Sequence, residues 1–175
     1  EREIAARLQY DMLRLGADKM SFDPIVVTGP NGSLPHGIPG DRKVELGSFI
    51  TMDFGCKYGG YCSDMTRTFY CKSVDEEQAK IHDIVRTAVL KAEEVIKPGI
   101  PVCDIDKQAR DYIDEMGYTK YWGVRLGHFI GQDDHEFGDV SPINHNPAAV
   151  GNIFSIEPGI YIEGSHGVRL ENELL

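Results

Sequence analysis

Apolar residues recur every three or four positions at the start of the chain, at Ile4, Leu8, Met12 and Leu15. That spacing predicts a helix, and Gly16 ends it. A stretch rich in Gly, Pro and Asn, from Thr28 to Gly40, predicts a loop that contains His36. The pattern then turns to a β one: Ser48 to Phe54 reads as a strand, a turn falls near Tyr58-Gly59-Gly60, and Tyr61 to Tyr70 reads as the return strand. A long helix follows, with an apolar face of Ile81, Ile84, Val85, Ala88, Val89, Ala92, Val95 and Ile96. Ser73-x-x-Glu76 is a capping box for its start, and Pro98-Gly99 stops it. A shorter helix carries Val102, Ile105, Ala109, Tyr112, Ile113 and Met116, with Asp104 near its start and Gly117 at its close.

The last third is β-rich again. His128 lies between Gly127 and Gly131, and a polar loop with Pro142, Asn144, His145 and Pro147 leads to the strand Ile153 to Glu157. A turn at Gly164-Ser165-His166-Gly167 precedes Val168 to Glu171. The order helix, hairpin, helix, then helix, strand, hairpin hints at two related halves. Helices segregated from mostly antiparallel strands predict an α+β fold.

The 175 residues suit one domain, and 41% hydrophobic with 26% charged residues argues against disorder. The net charge of −10, with no basic stripe, excludes nucleic acid as an expected partner. The acidic excess is either a solubility device or a sign of carboxylates clustered around cations. Cys56, Cys62, Cys71 and Cys103 lack C-x-x-C spacing, so a zinc knuckle and a disulfide framework are not expected, and reduced thiols in a cytoplasmic protein are. No apolar run reaches membrane length and no signal peptide is visible, so no membrane partner is expected. The chain starts at Glu1 inside a helical pattern and stops at Leu174-Leu175 in mid-strand, which predicts a fragment of a longer protein.

The acids carry the chemistry. With Tyr58-Gly59 as a two-residue turn, Asp53 faces Asp64 directly, where paired Cβ atoms lie about 4.5–5.5 Å apart. Met52, Phe54 and Met65 flank the two acids, so the pair is expected to be buried. Two such carboxylates must share a proton, take up a basic side chain or bind a metal. Glu157 and Glu171 repeat the theme at nearly equal distance from Gly164, and Arg169 shares a face with Glu171. Four carboxylates with His128 are too oxygen-rich for a structural zinc site and suit a two-metal hydrolytic site with Mn²⁺, Co²⁺, Fe²⁺ or Zn²⁺. His36 and His135, taken alone, read as loop histidines; His82 reads as solvated, and His145 and His166 as exposed turn residues.

These residues fall in segments that resemble the pita-bread metallopeptidases, nearest the Xaa-Pro aminopeptidase and Xaa-Pro dipeptidase (prolidase) branch. The segments are Leu34-Pro35-His36-Gly37, Thr51 to Gly55, Ser63 to Thr68, Gly127 to Gly131, His135-Glu136, Glu157 to Tyr161 and Val168 to Asn172, in that order over nearly the whole chain. The resemblance implies a pita-bread α+β fold with two pseudo-symmetric halves, a curved, mostly antiparallel sheet backed by helices. It implies that residues 1–175 form a metallopeptidase catalytic domain without the N-terminal domain of longer relatives, which themselves form homodimers. It implies two divalent ions, Mn²⁺ or Co²⁺ foremost: Asp53 chelates one, Asp64 and Glu171 bridge both, and His128 and Glu157 complete the second site. A hydroxide bridging the ions then attacks the peptide bond before proline, in a dipeptide or at a peptide N-terminus. Glu157 relays its proton, His135 contacts the carbonyl, His36 meets the leaving nitrogen and Arg169 supports the cluster from behind.

One position departs from the branch. Its members carry a histidine four residues before the metal-binding histidine, and this chain has Val124. Valine neither donates a hydrogen bond nor moves a proton, so turnover is slowed about 10²–10⁴-fold if that histidine is an acid–base group, or other groups replace it. Methionine aminopeptidases share the five ligands without that histidine, which keeps a methionine aminopeptidase-like activity as an alternative. A non-catalytic binding protein on the same fold is the other.

Overall fold

A computed structural model describes residues 1–123 and 125–175, so the reading of Val124 lies outside the described residues. The elements in chain order are α1 (Arg2–Arg14), β1 (Lys19–Met20), β2 (Ile25–Thr28), a 3₁₀ turn (Gly29–Ser33), β3 (Phe49–Phe54), β4 (Cys56–Tyr58), β5 (Tyr61–Cys62) and β6 (Met65–Tyr70). They continue with α2 (Glu76–Glu94), α3 (Val102–Glu115), a 3₁₀ turn (Thr119–Tyr121), β7 (Gly127–His128), β8 (Asp139–Val140), β9 (Phe154–Ile156), β10 (Gly159–Ile162), β11 (His166–Arg169) and β12 (Asn172–Leu174). Every described strand pair is antiparallel.

The helices form where the 3.6-residue spacing places them. Their apolar faces, with Ile81, Val85 and Ala88 from α2 and Ile105, Ala109 and Ile113 from α3, meet Phe154, Ile156, Ile160 and Val168 from the strands in one core. Each fully buried large aliphatic chain there contributes about 1.5–3 kcal/mol. The capping box of α2 is not at Ser73: Asp75 accepts the backbone N–H of Gln78, and the Gln78 side chain accepts the N–H of Asp75. Asp75 does better because its carboxylate also opposes the helix dipole.

Two strands lie where the hydrophobic pattern was silent. β2 pairs along its own length with residues 50–53 of β3, with Ile25 opposite Asp53, and β1 pairs with β4. The loop expected from Thr28 therefore starts with a strand residue and a 3₁₀ turn. The single long return strand is broken in two, β5 and β6, at Ser63-Asp64. Gly55 explains the break, because a Cβ there would collide with the backbone carbonyl of Ser63. Gly127 does the same in the second half, where a Cβ would collide with the carbonyl of Ser155. These two close crossings bend the ribbons next to the residues expected to carry chemistry.

Candidate metal centre

The first ribbon brings two acids together by a different register from the one expected. Tyr58 pairs with Tyr61, so the turn is Gly59-Gly60, and Asp53 lies opposite Thr66 instead of Asp64. Both turn glycines have positive φ, 58° and 92°, as this hairpin turn demands. The slip is two residues, and an even slip keeps every side chain on its face. Asp64 therefore remains near Asp53, and both are buried, 8% and 7% exposed. The Asp64 N–H donates to Glu173 Oε1 at 2.6 Å, which fixes the bend that carries it.

The second ribbon keeps the expected register. Gly159 pairs with Arg169 and Ile156 with Asn172, so Glu157 and Glu171 oppose each other in the gap between the two short ladders. His128 enters from β7. Its backbone N–H donates to Ser155 Oγ at 3.0 Å, and that hydroxyl donates to Glu157 Oε1 at 3.2 Å. The His128 ring is held at Nδ1 by the Phe129 carbonyl at 3.1 Å. A carbonyl only accepts, so Nδ1 carries a proton, and a neutral ring in this orientation presents its lone pair at Nε2. That lone pair points at Asp64 Oδ2, 3.3 Å away, and Glu157 Oε1, 3.5 Å away.

Acceptors therefore face acceptors. Single ligand atoms of Asp64, His128 and Glu171 lie within 4.8 Å of one another. Asp53 Oδ1, Asp64 Oδ1 and Glu171 Oε1 are buried with no hydrogen-bond partner among the described residues. Burial, then the charges of Asp53, Asp134 and Glu157, pushes Asp64 up to about 9. Burial, then Glu157, Asp64 and Asp53, pushes Glu171 well above the usual carboxylate range. A protonated His128 would answer only Asp64 and Glu157. Divalent cations among these atoms answer all of them, and the donor set of four carboxylates and one imidazole fits hard or borderline ions.

One cation is supplied by the chain. Arg169 Nη2 donates to Asp53 Oδ2 at 2.5 Å, Nε to Thr66 Oγ1 at 3.0 Å, and Nη1 to the Tyr161 hydroxyl and the Pro35 carbonyl, both at 2.8 Å. Burial works against its charge, yet Tyr161, Asp53 and Glu157 outweigh it and raise its pKa. Thr66 passes the contact on, donating from Oγ1 to Glu171 Oε2 at 2.6 Å. Arg169 thus acts on the far acid through Thr66 and on Asp53 directly.

Asp53, Asp64 and Glu157 face a cavity of about 990 Å³ that is also lined by His36, Arg125, Asp134, His135 and Tyr161. The rings of His128 and His135 are 3.9 Å apart, and Arg125 Nη2 donates to His135 Nδ1 at 3.4 Å. Burial, then His128, Arg125 and His36, holds His135 down to about 4, so its ring is neutral at neutral pH. His36 is exposed at the rim of the same cavity. Six of the candidates, Asp53, Asp64, His128, Glu157, His36 and His135, thus line one space together with Arg169, and Glu171 lies beneath it, within 4.8 Å of ligand atoms of Asp64 and His128.

The other histidines divide differently from expectation. His82 is not simply solvated: its Nε2 lies 3.0 Å from the Thr68 carbonyl and its ring stacks on Phe49. His166 starts β11 half-buried against Phe49. His145 is exposed, beside Cys103 Sγ at 3.3 Å. Met65, expected to shield the acid pair, is 40% exposed. Sequence reasoning missed Thr66, Tyr161 and Asp134 as site residues. Thr66 and Tyr161 fall inside the quoted segments, and alternation from Asp64 puts Thr66 on its face; Asp134 had only its place next to His135 as a signal.

The profile of metallopeptidase family M24 matches residues 1–175. An uncharacterized peptidase of Staphylococcus epidermidis is 43% identical over 175 residues, covering 100% of this chain and 50% of that protein. The prolidase of Pyrococcus furiosus is similar in structure, with a TM-score of 0.98 and 40% identity, over 100% of this chain and 52% of that one. The Xaa-Pro dipeptidase of Bacillus anthracis follows with a TM-score of 0.97 and 39% identity, over 100% of this chain and 49% of that one. The chain spans about half the length of the curated relatives it matches. No described helix is long and apolar enough to cross a membrane.

Proposed function

The chain belongs to metallopeptidase family M24 and has its pita-bread α+β fold, and on that premise we propose that it hydrolyses the peptide bond before proline, in dipeptides or at peptide N-termini. The observation that carries the proposal is the His128 Nε2 lone pair set against Asp64 and Glu157, beside three buried carboxylate oxygens without donors. Asp53, Asp64, His128, Glu157 and Glu171 would hold two divalent ions, Mn²⁺ or Co²⁺ foremost. Ions bound there supply Lewis acidity and water of lowered pKa.

The chain's own groups do the rest. Phe129 fixes the His128 tautomer through Nδ1, so Nε2 stays a ligand. Arg169 holds Asp53, and Thr66 holds Glu171, in fixed rotamers. Glu157, half-open to the cavity at 22% exposure, takes up the proton of the attacking water. His135, neutral and directed by Arg125, donates from Nε2 toward the carbonyl oxygen as charge builds there. His36 meets the leaving nitrogen at the rim. We assign residues 1–175 to the catalytic domain of a longer cytoplasmic protein that pairs as a homodimer.

The test is turnover of a panel of Xaa-Pro dipeptides and Xaa-Pro-Yaa tripeptides by the full-length protein with added Mn²⁺ or Co²⁺. The expected result is proline release, or release of the first residue, that chelation abolishes. No turnover above the metal-free blank with either ion would remove the proposal.

A further inference from the structure

We propose that Asp134 is a specificity residue, whose carboxylate pairs with a cationic nitrogen of the peptide substrate; this rests on the peptidase reading above. Asp134 lines the same cavity as Asp53, Asp64, His128 and Glu157. Its side chain is 23% exposed, about as open to that space as Glu157 at 22%. Its Oδ1 is buried and accepts no hydrogen bond among the described residues. Its Oδ2 is 3.6 Å from His135 Nε2, which is too long for a hydrogen bond.

Among the described residues, no lysine or arginine forms an ion pair with Asp134. Arg169 is committed to Asp53, Thr66, Tyr161 and Pro35, and Arg125 is directed at His135. Asp134 also stands outside the tight group of Asp64, His128 and Glu171. A half-buried carboxylate with one oxygen shielded from water and without a donor is costly, and a ligand that supplies the donor relieves that cost. The ligand here is a peptide crossing the cavity beside His135, and the group that satisfies a carboxylate best is a charged N–H donor. Asp23 and Asp139 line the same cavity and add negative potential, with Arg125 as the opposing charge. The nitrogen comes either from the substrate's α-ammonium or from a basic side chain, and Asp134 disfavours an acidic residue in either case.

Steady-state kinetics of the Mn²⁺-supplied protein and of Asp134→Asn and Asp134→Lys on Lys-Pro, Ala-Pro and Glu-Pro test this. A side-chain partner predicts that kcat/KM of the unsubstituted protein favours a lysine peptide over Glu-Pro by about ten- to a hundredfold, mainly in KM. Asp134→Asn then removes that preference and Asp134→Lys reverses it. An α-ammonium partner predicts instead that Asp134→Asn raises KM on all three peptides by a similar factor. Unchanged KM values in Asp134→Asn overturn the inference. Should the unsubstituted protein cleave no peptide, the peptidase reading falls, and melting temperatures with L-lysinamide, L-alaninamide and N-acetyl-L-norleucinamide decide the inference alone. A rise with either free amine that Asp134→Asn abolishes, and none with the acetylated amide, supports it; equal responses in the two proteins overturn it.

Discussion

The two ribbons, β3 to β6 and β9 to β12, each bring two acids to the centre, yet they neutralise them differently. In the first, Asp53 receives a guanidinium from the opposite ribbon at 2.5 Å, while Asp64 receives only backbone support, through its N–H to Glu173. In the second, Glu171 receives a hydroxyl from the first ribbon, Thr66, and Glu157 receives Ser155 from β9. Each ribbon therefore steadies an acid of the other. What the exchange leaves uncompensated is the group of Asp64, His128 and Glu171. The lesson is that orientation is supplied within the chain, whereas charge balance is left to whatever binds.

The largest effect should come from breaking the member that has no cation of its own. Asp64→Asn keeps the shape and removes the charge, so bound divalent metal should fall below stoichiometry and turnover should drop by more than about 10²–10³-fold. Elemental analysis beside the kinetic assay reads both. Full metal content in the variant would show that Asp64 is not a ligand and that the asymmetry between the ribbons is incidental.

A middling effect should appear in stability against pH. Asp64 is raised to about 9 and Glu171 well above the carboxylate range, so the metal-free fold holds protons that the unfolded chain has already lost. Stability from such groups is present at low pH and is lost as pH rises through the folded value. His135, lowered from 6.5 to about 4, acts in the opposite sense, but only below pH 6.5. Between pH 6.5 and about 9 the melting temperature of the chelated protein should therefore fall by several degrees. Mn²⁺ should raise it and flatten the slope, because cations bind the ionised cluster. A chelated protein whose melting temperature does not fall over that range would show that the buried acids are balanced by something in the chain.

How far this centre was legible in the sequence differs between the same two ribbons. In the second, the turn centres on Gly164, and counting outward pairs Glu157 with Glu171 as the structure does. In the first, Tyr58-Gly59-Gly60 offers two turns. Only Gly59-Gly60 puts glycine at both positions that need positive φ, a constraint that the Tyr58-Gly59 reading overlooked. The error left the acids on one face because it was even. α2 and α3 were legible from their apolar period, since burial of one stripe is a local pattern. The bonds from Arg169 to Asp53 and from Thr66 to Glu171 were not, because they join residues more than a hundred positions apart and no local pattern records them. Asp134 escaped notice for a related reason: an acid in a polar loop looks solvated until the fold closes a cavity over it.

The smallest effect should come from the hydroxyl that joins the two ribbons. Thr66 is fully buried, and its Oγ1 receives Arg169 Nε and gives its proton to Glu171. Thr66→Val keeps the volume and removes both bonds, leaving the Arg169 Nε–H and Glu171 Oε2 without that partner. Removing one such bond to a charged group costs about 1.5–3 kcal/mol when its partner stays buried. With cations bound, Glu171 regains part of that loss, so kcat should fall only about tenfold and KM should hold. The metal-free variant should lose more of its melting temperature than the Mn²⁺-loaded one. Equal losses with and without Mn²⁺ would mean that Thr66 serves packing alone, and that the second ribbon positions Glu171 without help from the first.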